Sequence, residues 1–274
     1  MIKPIEIKQK AREAGVRDQQ IEKDYVLSWI LNGVAQHEQL SKIIVFKGGT
    51  VLKKIYFEDY RFSEDLDFTL LNNEITNEQI FTWFKETFEY ILEEANIVLG
   101  IINPDSNRGR PEHEDGGINF YISYTGPLGG QGNNKRVKVD ISRSEKLEFE
   151  PVLKTGIIGY SDLEEHQLLC YSLEEVLVEK MRTVMQRMQA RDFYDIWFLL
   201  EHHGMDAAFH INEFAKKCAS KNLNYLDFPK KLAERLPQYK GRWKSSMNEQ
   251  IKNLPDFEQV EREVQRHLKK LKLQ

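Results

Sequence analysis

Two aspartates separated by a single residue, Asp65-Leu66-Asp67, are where this chain most plainly offers chemistry. Residues 62–70 alternate with period two, so Ser63, Asp65 and Asp67 share one face of a strand while Phe62, Leu66 and Phe68 contribute to the other. Like charges side by side on a strand repel unless a cation neutralises them. Mg²⁺ prefers oxygen ligands and is held by one or two carboxylates together with substrate phosphates, so the pair reads as half of a metal site. Taken alone it has a plainer reading, as two solvent-facing strand residues.

Just upstream, Gly48-Gly49-Thr50 ends the short apolar run of residues 43–46, and Val51, Leu52 and Ile55 then resume helical spacing. A strand, a tight turn and a helix follow from this pattern. Backbone N–H groups and the helix dipole at such a turn can receive phosphate oxygens; alternatively, the two glycines only supply the positive φ that the turn needs. Asp140 alternates with Val137, Val139 and Ile141, which offers a third carboxylate for the metal on a second strand or, equally, a surface acid paired with Lys138 or Arg136. Further along, Lys180, Arg187 and Arg191 recur at i, i+7 and i+11, and Arg191-Asp192-Phe193-Tyr194-Asp195 closes the series. On one helix these cations would form a stripe able to cradle the β- and γ-phosphates of a nucleotide. Ordinary ion pairing on a helix surface, Arg191 with Asp195 included, is the other explanation.

The elements that would position these residues can be read from periodicity. Helices are expected over residues 5–14, 18–36 and 77–95, strands over 97–102, 117–125 and 135–142, and a polar loop rich in Gly and Pro over 103–117. The strands 117–125 and 135–142 form the arms of a hairpin joined by residues 126–134. Ser172-Leu173-Glu174-Glu175 fits a capping box and opens a helix expected to run to about residue 189. The chain thus divides into an α/β half, residues 1–160, and an α-helical half, residues 161–274, with the boundary near 155–171.

Bulk properties narrow the function classes. No apolar run approaches the roughly 18 residues needed to span a bilayer, and no signal-type segment opens the chain, so a cytoplasmic protein with no membrane partner is expected. Cys170 and Cys218 lie far apart and outside any Cys-x-x-Cys pair, which disfavours a disulfide framework or thiolate zinc. His202-His203 lacks the spacing of a histidine metal hydrolase. The net charge of −4 is unevenly spread: residues 205–274 hold fifteen Lys/Arg against nine Asp/Glu. That basic region, interleaved with Phe209, Phe214, Tyr225, Phe228, Tyr239 and Trp243, suits a polyanion such as RNA, or is a solvated helical surface with its aromatics in the core.

Four blocks in order, Phe46-Lys-Gly-Gly-Thr-Val-Leu52, Arg61-Phe-Ser-Glu-Asp-Leu-Asp-Phe68, Glu174-Glu-Val-Leu-Val-Glu-Lys180 and Arg191-Asp-Phe-Tyr-Asp195, closely resemble the AbiEii/AbiGii toxin family of nucleotidyltransferases. Ile21-Glu-Lys-Asp-Tyr25 resembles the helix that opens these proteins, so the similarity covers roughly residues 15–200. The resemblance implies an α+β fold, with a polymerase-β-like nucleotidyltransferase core built on a mixed sheet and a helical C-terminal domain. It implies transfer of nucleotides from an NTP, with tRNA 3′ ends as acceptors in some members, by the toxin of a type IV toxin–antitoxin or phage-defence pair with a cognate antitoxin protein. Carried over by position, Asp65 and Asp67 would bind Mg²⁺. Gly48, Gly49, Thr50 and Ser63 would line the triphosphate, Lys180 would touch the nucleotide phosphates, and Asp195 would be the fourth-block acid; Asp140 follows from the strand pattern alone. Two rival readings are transfer to a protein or small molecule, and a non-catalytic nucleotide-binding module.

Overall fold

The structure, a computed structural model, describes residues 1–102, 117–130 and 135–273. The loop expected over 103–117, except for residue 117, and residues 131–134 of the hairpin connection lie outside the described residues. The chain divides into two compact units: Met1–Glu145 with Pro151–Cys170, and Lys146–Glu150 with Tyr171–Gln274. Residues 161–170, expected in the helical half, therefore belong to the first unit.

The first unit opens with α1 (Pro4–Ala14), α2 (Asp18–Gln36) and the short α3 (Leu40–Ile43). Strand β1 (Ile44–Lys47) runs into α4 (Gly48–Val51), which continues as a wider π turn over Leu52–Tyr56. Then come β2 (Asp65–Leu70), α5 (Asn77–Ala95), β3 (Val98–Ile102), β4 (Ile118–Thr125), β5 (Arg136–Ser142), β6 (Val152–Thr155) and β7 (Gln167–Cys170). The seven strands form one mixed sheet in the order β3-β4-β5-β2-β1-β7-β6. β2 is antiparallel to β1 and parallel to β5, while β4 and β5 form the expected antiparallel hairpin.

Alternation along the strands explains which face is covered. Phe120, Ile122, Val137, Val139, Ile141, Leu66 and Phe68 are all buried, and Phe120 meets Phe81 and Phe84 of α5 edge-to-face at 5.2 and 5.3 Å between ring centres. The alternate positions Asp65, Asp67, Asn119, Tyr121, Lys138 and Asp140 are only half-buried. Helix α5 starts on a complete capping box, Thr76 with Gln79. Helix α2 presses close to it: a Cβ at Gly33 would lie 2.5 Å from Thr87 Cγ2, so only glycine permits the approach.

The second unit is helical, with α6 (Leu173–Val184), α7 (Ala190–Trp197), α8 (Ile211–Ala219), α9 (Phe228–Met247) and α10 (Phe257–Leu268). Its core is aromatic: Phe193 stacks on Tyr239 with centres 5.4 Å apart, and Trp243 and Phe257 close around it. Phe214, Phe228, Tyr239 and Trp243 are therefore core residues, whereas Phe209 is 82% exposed. Of the two readings of the basic region, the structure supports aromatics turned inward. Helix α6 ends at Val184, earlier than the expected residue 189, and Arg191 stands on α7, so no single helix carries the stripe Lys180, Arg187, Arg191.

The Ser172 cap is half of the expected box. Ser172 accepts from the Glu175 amide, but the Glu175 carboxylate turns to the strap Lys146–Glu150, accepting from the Glu148 and Phe149 amides at 2.8 and 2.9 Å. Lys217 bonds the same carboxylate at 2.6 Å and donates to the Lys146 carbonyl. Both thiols are free and buried, and burial pushes each up to about 11. Among the described residues, no helix is long and apolar enough to cross a membrane.

Candidate active site

The glycine turn and the strand acids meet in the first unit. Gly48 adopts φ +80, and a Cβ there would lie 2.4 Å from Asp67 Oδ2. Glycine is thus required twice at this position, by the left-handed backbone and by the carboxylate packed against it. Behind the turn, the buried Thr50 hydroxyl lies 2.8 Å from Ser63 Oγ and 2.5 Å from the Asp65 carbonyl oxygen, tying the turn to the start of β2. Gly48, Gly49, Thr50, Ser63, Asp65 and Asp67 thus lie together, at the end of β1 and the start of β2.

Register then extends this group across the sheet. Lys47, Asp67, Asp140 and Asn119 are successive partners on β1, β2, β5 and β4, and partnered residues share a face. A second row runs Asp65, Lys138, Tyr121. Asp140 therefore stands beside Asp67, and Lys138 Nζ lies 3.4 Å from Asp140 Oδ2, the geometry of the reading that pairs Asp140 with Lys138. Lys138 is the partner that the strand pattern offers Asp140, whereas the nearness of Lys47 and Tyr121 to the acids depends on strand register, which spacing along one strand does not reveal.

One turn of α2 braces all of this. Glu22 accepts from the Leu128 amide at 2.8 Å and pairs with Lys135 at 2.9 Å, holding the β4–β5 hairpin. Lys23 bonds Glu64 at 2.8 Å, next to Asp65. Asp24 bonds Lys54 at 2.6 Å, on the turn that continues α4, and accepts from the Tyr160 hydroxyl at 2.7 Å. Burial pulls Lys54 below the usual lysine range against the opposing pull of Asp24, and burial together with Asp24 pushes Tyr160 well up.

The donor set suits a hard divalent ion. Asp65 and Asp67 lie two residues apart on one face, ~7 Å along the strand, and the glycine turn packs directly against Asp67. Among the described residues, no three His, Cys, Asp or Glu side chains are arranged to grip a metal by themselves, the set Asp65, Asp67, Asp140 included. Mg²⁺ asks for fewer, since one or two carboxylates serve when phosphate and water complete its shell.

Lys180, Asp192 and Asp195 form a cluster inside the second unit. Lys180 is 4% exposed, and its ammonium lies 2.7 Å from both Asp192 Oδ1 and Asp195 Oδ2, while Arg187 grips Asp192 through two nitrogens at 2.7 and 3.0 Å. The third and fourth blocks thus join each other, and the lysine already holds two carboxylates. Burial penalises the Asp192 charge, but Lys180 and Arg187 outweigh it and hold the carboxyl well below the usual range. An unfolded aspartate takes up its proton near pH 3.9. Because the folded state resists protonation of Asp192, stability from this cluster is complete above about pH 5 and drains away as pH falls through 4 and below. Acid melting curves are expected to show this, and Asp192→Asn should flatten the dependence; an unchanged slope in that variant would exclude the assignment.

Residues 29–265 match the family model described as "Nucleotidyl transferase AbiEii toxin, Type IV TA system". The chain belongs to the AbiEii nucleotidyltransferase toxin family. Solved structures of the same fold include JHP933 from Helicobacter pylori, with TM-score 0.57 and 19% identity over 93% of this chain and 94% of that one. A second H. pylori structure, titled a putative nucleotidyltransferase, superposes with TM-score 0.58 and 20% identity over 93% and 97%. MenT4, a nucleotidyltransferase toxin of Mycobacterium tuberculosis, superposes with TM-score 0.54 and 17% identity over 99% of each chain. No curated protein sequence matches. This AbiEii-family chain is accordingly a nucleotidyltransferase of the toxin class, with the α+β fold that the four blocks implied.

Proposed function

We propose that this enzyme moves a nucleoside monophosphate from an NTP to a hydroxyl of an RNA, with tRNA 3′ ends as the acceptor class, and serves as the toxin of a toxin–antitoxin or phage-defence pair. The observation that carries the site is the packing of Gly48 against Asp67, which joins the glycine turn directly to the carboxylate pair. Asp65 and Asp67 would hold Mg²⁺, which when bound neutralises charge on the phosphates and orients them. The Gly48-Gly49-Thr50 backbone and the Ser63 hydroxyl receive triphosphate oxygens. The acceptor oxygen forms a bond to the α-phosphorus as the bond from that phosphorus to the α,β-bridging oxygen breaks. Pyrophosphate leaves with the electron pair, and the hydroxyl proton passes to Asp140, the neighbour of Asp67. Lys180 and Asp195, which the resemblance links to the nucleotide phosphates, are bonded to each other at 2.7 Å within the second unit.

With most aromatics of residues 205–274 turned into the core, the support for RNA there is charge alone, with Lys230, Arg242 and Lys244 exposed on α9. Incubation with Mg²⁺, α-labelled NTPs and total RNA should give labelled RNA that ribonuclease destroys. Label resistant to ribonuclease and sensitive to protease would move the acceptor to protein, and failure of any NTP to bind with Mg²⁺ would leave a non-catalytic module.

A further inference from the structure

We infer that the half-exposed face of β5 and β4, carrying Lys138, Arg136, Tyr121 and Asn119, receives the 3′-terminal nucleotides of the acceptor RNA. The inference rests on the reading of Gly48, Asp65 and Asp67 as the triphosphate end of the site, and it follows from the order of strands. The glycine turn lies at the end of β1, on one side of β2; β5 and then β4 lie on the other. In-line displacement places the attacking oxygen and the departing pyrophosphate on opposite sides of the α-phosphorus. With pyrophosphate held on the β1 side, the acceptor approaches over β5 and β4.

The side chains there fit a nucleic acid strand. Lys138 is the partner of Asp65 on one side and of Tyr121 on the other, so the row continues directly from the acids. Tyr121 lies two strands from Asp65, ~10 Å away, about the reach of one or two nucleotides. The Arg136 guanidinium lies 4.5 Å from the centre of the Tyr121 ring, and the arginine itself is exposed. A tyrosine capped by a guanidinium gives bases a flat surface to stack on and phosphates a cation to meet. Asn119, beside Asp140, adds a side chain able to hydrogen-bond a ribose hydroxyl or a base edge. The reverse face of the same two strands is buried hydrocarbon, so these half-exposed polar and aromatic residues stand on the side that is not needed for the core.

The test uses the full chain with Mg²⁺, α-labelled NTPs and total tRNA as the probe acceptor, comparing Arg136→Glu, Tyr121→Leu and Asp67→Asn. Arg136 is exposed, so its variant should melt with the parent protein. Arg136→Glu and Tyr121→Leu are each expected to raise the KM for tRNA roughly tenfold, with the KM for NTP within twofold and with reduced sensitivity to salt for Arg136→Glu. An acceptor KM within twofold of the parent in both variants, while Asp67→Asn is inactive, would overturn the acceptor face and leave the active site standing. A rise in the NTP KM alone would give the face to the nucleotide and likewise overturn it. Full activity of Asp67→Asn would instead remove the active-site reading on which the inference rests.

Discussion

Asp67→Asn is expected to lower nucleotidyl transfer at least about a hundredfold while the protein melts within a few degrees of its parent. The change removes a negative charge and almost no volume from a half-buried position, so packing against Gly48 survives while affinity for a divalent ion and its phosphate falls. Asp65→Asn should behave alike, since both side chains project from one face of β2. The double variant should fall little further than either single one, because the two acids would work on one ion and their effects are not additive. Single-turnover label transfer at saturating NTP and a range of Mg²⁺ concentrations measures this. Parental rates in either variant would dismiss the pair as the metal site.

Lys180→Met is expected to act on folding first. It leaves Asp192 and Asp195, both without solvent exposure, facing each other with one cation fewer, and an uncompensated buried charge costs about 3–5 kcal/mol. A drop in melting temperature on the order of 10 °C follows for a chain of this size. Adding Asp195→Leu to Lys180→Met should recover part of that loss, since apolar groups replace a buried pair more cheaply than one half of it can be deleted. Arg187 remains in place to hold Asp192. Calorimetry of the three proteins decides the matter: an unchanged melting temperature in Lys180→Met, with a raised KM for NTP, would return the lysine to direct phosphate contact.

Long periodic elements were legible in the sequence because one physical signal dominates each of them. Helix α5 occupies residues 77–95 as expected, with its apolar residues at helical spacing and its own cap, and the hairpin arms fall within a residue of their expected starts. The four-residue strands β6 and β7 carry too little alternation to be read, so the sequence does not show that residues 161–170 belong with the sheet. Helix α6 ends before its periodicity does, because Arg187 has helical spacing from Lys180 yet turns back to hold Asp192. At the site, the association of the glycine turn with the acids is legible in the first two blocks, and Lys138 in the spacing around Asp140, whereas the neighbours Lys47 and Tyr121 need strand register, a property of the assembled sheet. The buried pairs Asp24–Lys54 and Glu175–Lys217 join residues far apart in the chain, which no local pattern announces.

The strap Lys146–Glu150 makes the helical unit discontinuous in the chain, since it belongs with α6 and α8 although residues 151–170 return to the sheet. A fragment beginning at Tyr171 would strip Glu175 of two amide donors and Lys217 of a carbonyl acceptor, leaving both charges under-solvated in its interior. Recombination between family members would meet the same obstacle. Exchange of the C-terminal half as a contiguous cassette separates partners that must be inherited together, so the five-residue strap and the helices it fastens should change hands only as a set.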